Sequence, residues 1–73
     1  PGLSLQEREL LTLSSLLTAG GCEAQLQVHI NAALHVGIKE EKIIEAFLHY
    51  IPYTGFPKVL NAVAVAGQIF SGK

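Results

Sequence analysis

Hydrophobic and polar positions recur along this chain with the 3.6-residue period of an α-helix, and nowhere with the alternation of a strand. Residues 22–37, CEAQLQVHINAALHVG, carry the sharpest division. At about 100° per residue, Cys22, Leu26, His29, Ala33 and Val36 fall along one stripe, and Glu23, Gln27, Asn31 and His35 along the opposite one. The first stripe is the one to be buried. A thiol and an imidazole are therefore set among aliphatic neighbours, where a polar group needs a partner.

The other elements follow in order. Ser4 and Glu7 have capping-box spacing, so a helix is expected over 5–19. Leucines 5, 10, 13, 16 and 17 make its broad apolar face, Glu7, Ser14 and Thr18 face away, and Glu9 projects among the leucines. Gly20-Gly21 closes this helix and sends the second, 22–37, back antiparallel, which turns the face bearing Glu9 toward the face bearing His29. Gly37 closes the second helix in the same way. A third helix, 39–53, opens on Glu40 and Glu41 at the positive end of its dipole. It is expected to bury Ile43, Ile44, Phe47, Leu48 and Ile51 and to leave Lys42, Glu45 and His49 wet, with Glu45 and His49 as an i,i+4 pair. Pro52 bends or ends it. After a turn over 53–57, Pro57 suits the first position of a last helix running to about residue 71. That helix is apolar nearly all round, and Ala62, Ala64, Ala66 and Gly67 are small enough for close helix approach. The expected fold is all-α, a small bundle of about four helices in one domain over residues 1–73.

Composition changes this picture in one respect. A chain of 73 residues folding alone buries only about 60% of its unfolded surface, yet this one is 49% hydrophobic and its single cysteine excludes an internal disulfide. Much of its apolar surface is therefore expected to lie against other copies of itself. One cysteine and no signal-peptide pattern point to a reducing cytoplasm. A start at Pro1 rather than methionine is read as a trimmed or partly observed form of a longer chain, one lacking an N-terminal segment. The formal net charge is −1 and the basic residues Arg8, Lys39, Lys42, Lys58 and Lys73 are dispersed, which argues against nucleic acid as a partner. No apolar run reaches the roughly 18 residues of a membrane span. The nearest, 59–70, is interrupted by Asn61 and Gln68.

Five side chains then stand out for their chemistry. Cys22 opens a helix, where free amides and the dipole favour a thiolate, although a cysteine is equally a small buried hydrophobe. Gln25 occupies the i+3 position that a redox dithiol would fill with a second cysteine, so internal disulfide exchange is unavailable, while sulfenic acid chemistry with an outside thiol remains open. His29 lies two turns beyond Cys22 on the same stripe. A carboxylate from Glu9 accepting from one ring nitrogen would fix the tautomer and leave the other nitrogen to move a proton, the alternative being a purely structural Glu-His pair. Gln25 flanks the stripe within reach of a substrate oxygen, or is simply solvated. Tyr53 borders the pocket or wedges two helices apart. His35 and His49 sit on polar faces, the three histidines lack the spacing of a metal site, and no glycine-rich phosphate loop is present.

These residues have a familiar order. Arg8-Glu9, Gln25-Leu26-x-x-His29, the region of Gly37, Glu41, Ile43 and Glu45, and Tyr53-x-Gly55-x-Pro57 together resemble the carboxymuconolactone decarboxylase family, whose fold is shared with the alkylhydroperoxidase D-like proteins. The resemblance runs from about Leu3 to Phe70. It implies an intertwined helical homo-oligomer, often a trimer or hexamer, with active sites near subunit interfaces. The peroxidase branch uses a Cys-x-x-Cys pair, a following histidine and a glutamate one helix earlier. Cys22, His29 and Glu9 match three of these, and Gln25 replaces the second cysteine.

For the decarboxylase branch the resemblance implies a small-molecule substrate, a carboxylated muconolactone, whose lactone carbonyl accepts the electrons left by carbon dioxide, so that no metal or organic cofactor is expected. The protein then supplies an orienting slot, donors for the enolate oxygen and a proton for carbon. His29 is expected as proton donor or base, Glu9 as its orienting partner, Gln25 and Cys22 in the pocket wall, and Tyr53 at its border. Decarboxylase chemistry is preferred to a Cys22-dependent peroxidase, and both to a non-catalytic oligomer on the same scaffold.

Overall fold

The computed structural model describes residues 2–72; Pro1, at which the chain starts, and Lys73, one of the basic residues counted above, lie outside the described residues. The Ser4 box forms as its spacing requires. The Ser4 hydroxyl accepts from the Glu7 amide at 3.0 Å while the Ser4 amide donates to the Glu7 carboxylate at 2.8 Å. Helix α1 then spans Leu5–Ala19, and Gly20 closes it with φ +76°. Leu13 and Leu17 are buried and Leu10 and Leu16 pack against them. Leu5 does not join this face. It sits in the first turn, beyond the end of the core, and is 68% exposed.

Helix α2 spans Glu23–His35, so Cys22 is the residue that precedes its first turn rather than part of it. The α2 C-terminus is tied off by Gly37 at φ +95°. The amide of Ile38 donates to Ala33 O and that of Gly37 to Leu34 O, both at 3.0 Å, which is a Schellman closure with the apolar Ile38 folded back into the core.

The third expected helix is divided. Helix α3 covers Glu40–His49 and a single turn, α4, covers Ile51–Thr54. Pro52 is the cause: its nitrogen has no hydrogen to give to Leu48 O, and its ring would crowd that carbonyl. The chain tightens before it, the Tyr50 amide donating to Phe47 O at 3.0 Å. Phe47 and Ile43 are buried as the pattern requires, whereas Leu48 is 44% exposed. No ion contact joins Glu45 to His49 among the described residues. His49 instead sets its ring 5.5 Å from that of Tyr50 and 5.6 Å from that of Tyr53.

Helix α5, Phe56–Ser71, begins at Gly55 with φ +90° and carries Pro57 in its first turn. Val59, Ala62 and Ala66 are buried against the other helices, the two alanines letting the backbones come close. Lys58 reaches back across the first turn, its Nζ donating to Thr18 O at 2.9 Å, with its stem lying 3.1 Å from where a Cβ on Gly20 would stand. The bundle has one core, centred on Phe47, Leu13, Leu17, Ile30, Ile43 and Val59, and a radius of gyration of 11.3 Å, close to the roughly 11 Å of a tightly packed chain of this length. No strand occurs among the described residues, and none of their helices is long and apolar enough to cross a membrane.

Phe47 has no solvent face and is the largest of the fully buried side chains. Phe47→Ala is expected to lower the unfolding free energy by about 3–5 kcal/mol in a denaturant titration, most of what a domain of this size holds.

Candidate active site

The Gly20-Gly21 turn lays α2 antiparallel against α1, and two polar side chains meet across the seam. Nδ1 of His29 donates to Oε1 of Glu9 at 3.1 Å. A carboxylate accepts only, so the proton of this bond is on Nδ1, and in the neutral ring Nε2 is left with a lone pair. The expected pairing is present, but its setting differs. The side chains of His29 and Glu9 are 38% and 22% exposed, and no polar or charged residue is fully buried among the described residues. The reason lies in the position of the apolar stripe. Leu26, Ile30 and Ala33 are the buried residues of α2, because the helix packs against both α1 and α5, and this places His29 on the margin of the stripe.

Cys22 lies apart from the pair. Two turns separate it from His29, about 10 Å along the axis. Its side chain does not accept from the first amides of α2; Sγ turns back and donates to Gly20 O at 3.4 Å, a contact that uses the thiol proton. The thiolate geometry expected at a helix start is therefore not formed in this chain.

Gln25 and His29 stand one turn apart on α2 and, with Ala24 and Val28, line an open groove of about 220 Å³. Val28 is 65% exposed and forms the apolar side of this groove. The groove is shallow and open to solvent. Tyr53 is not among its lining residues. It is 72% exposed and belongs to the ring cluster with His49 and Tyr50. No group of three or more His, Cys, Asp or Glu side chains among the described residues is placed to hold a metal ion. One side chain that sequence patterning did not single out also bears on the seam: Nε2 of Gln6 donates to Val36 O at 2.9 Å. Its only prior signal was its place one turn before Glu9.

The helical hairpin thus joins a carboxylate to an imidazole, and the imidazole also lines the small open groove. The sequence matches the carboxymuconolactone decarboxylase family over residues 1–68, and the chain belongs to that family. It is 33% identical over 70 residues, 96% of its length, to 4-carboxymuconolactone decarboxylase of Acinetobacter baylyi, covering 52% of that protein. It is 37% identical over 65 residues, 89% of its length, to nitrosuccinic acid decarboxylase of Metarhizium robertsii, covering 45% of that protein. The chain thus spans about half the length of the curated relatives it matches.

The Glu9–His29 contact is half exposed, so its energetic weight is that of a surface pair. A double-mutant cycle of Glu9→Ala and His29→Ala on unfolding is expected to return a coupling of about 0.2–1 kcal/mol. Additive single-mutant effects would mean that the two side chains do not hold each other in solution.

Proposed function

We propose that this chain is a decarboxylase module acting on a small acid whose departing carboxylate sits on carbon next to an electron-withdrawing oxygen function. The observation that carries the reading is the bond from His29 Nδ1 to Glu9, which leaves Nε2 as the uncommitted nitrogen of a residue that lines the groove. The two relatives support the substrate class. A lactone carbonyl in one and a nitro group in the other can each take up the electron pair that carbon dioxide leaves behind.

The chemistry balances with this chain's own groups. The carbon–carbon bond to the carboxylate breaks, carbon dioxide departs, and the electron pair moves onto the enolate or nitronate oxygen. The Gln25 amide, one turn from His29, donates to that oxygen. His29, having taken a proton from solvent at Nε2 and with Glu9 countering the imidazolium, delivers that proton to carbon. The net change is a carboxylate and a proton converted to a carbon–hydrogen bond and carbon dioxide. No second cysteine is present to resolve an oxidised Cys22, and the thiol of Cys22 is turned to Gly20 O, so the thiol peroxidase reading has less support.

The groove's other wall comes from a second copy of the chain in this reading. The outer stripe of α5, Leu60, Ala64 and Gly67 at i, i+4, i+7, is exposed with Phe56 at its start, and no group lies within 4 Å of a Cβ built on Gly67. An apolar helix face of this kind is the surface a helical homo-oligomer packs together. A single domain over residues 1–73 that assembles in this way is the form we propose acts on substrate.

Two measurements test the proposal. With the small carboxylated lactone as substrate, His29→Ala and Glu9→Gln are expected to lower kcat by about 10²–10⁴-fold and up to that range respectively, while Cys22→Ser retains most of the activity. Turnover of a hydroperoxide with a supplied thiol, abolished by Cys22→Ser, would reverse the ranking. Light scattering should give a mass above that of one chain, reduced to one chain by Ala64→Arg; a wild-type monomer contradicts the shared site.

A further inference from the structure

The geometry points to Gln6 as a positioning residue that fixes the fine seating of α1 on α2, within the register the core and the two-glycine turn impose, and so keeps Glu9 at hydrogen-bond distance from His29. The inference rests on the pair reading above only for its functional consequence. The seam between the two helices is otherwise leucine, isoleucine and alanine, Leu13 and Leu17 against Leu26, Ile30 and Ala33. Aliphatic packing of this sort is non-directional. A slide or tilt of about 1 Å leaves Leu13 and Leu17 in the core, yet it is enough to open a 3.1 Å contact beyond hydrogen-bond range.

Among the described residues, two side-chain hydrogen bonds cross from α1 to α2 and its terminal residue. One is Glu9 to His29. The other runs from Nε2 of Gln6 to Val36 O at 2.9 Å. Gln6 and Glu9 are one turn apart on α1, and His29 and Val36 two turns apart on α2, so the ties share one side of each helix. The acceptor is available because the Schellman closure uses Ala33 O and Leu34 O and does not use Val36 O. The approach is open because residue 37 is glycine, where a Cβ would come within 3.3 Å of Gln6 Nε2. Since Val36 O belongs to the backbone, it cannot follow a side chain that moves. The Gln6 bond is the fixed point, and the Glu9 bond is the one that depends on it.

The test is Gln6→Glu, which keeps the shape, removes the donor and places a carboxylate against the carbonyl. A negative charge in the first turn of α1 favours the helix dipole, so the substitution is not expected to weaken α1 itself. Gln6→Lys restores a donor. The readout is the long-range proton–nitrogen correlation of the His29 ring on the intact 73-residue chain, which distinguishes Nδ1–H from Nε2–H.

The wild type is expected to show Nδ1–H. Gln6→Glu is expected to shift the ring toward the ordinary solution preference for Nε2–H, and Gln6→Lys to recover the wild-type signal. A neutral hydrogen bond of this kind shifts an equilibrium by about two- to tenfold, so kcat for the lactone should fall by a similar factor with KM little changed. A Gln6→Glu protein that keeps the wild-type ring signal overturns the inference. A ring that shifts as expected in a protein that decarboxylates no acid supports the seating role of Gln6 and counts instead against the proposed function. Should Gln6→Glu melt with altered helicity, Gln6→Ala gives the same comparison, and a ring signal unchanged there is equally fatal.

Discussion

The antiparallel contact of α1 with α2 is the constraint on which the remaining structure depends. Leucines 13 and 17 cover Leu26, Ile30 and Ala33 only if the chain reverses within two residues, and Gly20 and Gly21, both at positive φ, are what permit so short a reversal. Once the hairpin is set, α3 and α5 have a surface to close on, and Phe47 and Val59 complete the core. The same hairpin brings a carboxylate and an imidazole from positions 20 residues apart into hydrogen-bond range. Fold and candidate chemistry therefore share a single cause.

The polar seam sits beside the core rather than within it. Burial of Glu9 and His29 in one chain would have demanded partners for every lone pair and hydrogen they carry. A marginal position avoids that cost and leaves one ring nitrogen open to a ligand. It also leaves the groove with too few walls to exclude water by itself. A site of this form gains its desolvation from whatever closes over it, which is why the outer face of α5 and the chemistry of His29 belong to one proposal.

Much of the architecture was legible in the residue pattern, and the legible parts were local. The Ser4–Glu7 box, the glycines at 20 and 37 and the proline at 52 act through their own backbones, so their effects do not depend on what packs nearby. The facing of Glu9 and His29 was also readable, because a two-glycine turn leaves little freedom in how two amphipathic helices meet. What was not readable depended on distant neighbours. Ile30 rather than His29 centres the buried stripe of α2 because α5 presses on it from a second direction. Leu5 looks like core on a helical wheel and lies past its edge. Cys22 turned from the helix amides to the carbonyl of Gly20, a choice of rotamer that spacing does not encode. Nothing in the local pattern marks Gln6 or Lys58 for a contact, since the carbonyls they reach lie 30 and 40 positions away.

Those last two contacts share a design. In each, a long donor from one helix crosses a glycine to reach a main-chain oxygen: Gln6 over Gly37 to Val36 O, and Lys58 over Gly20 to Thr18 O. The accepting atom is present whatever residue is encoded there, so selection can act only on the donor and on the bare position beneath it. Gly20 and Gly37 are required by their own positive φ whatever lies above them, so the donor is the member of each pair that can be lost alone.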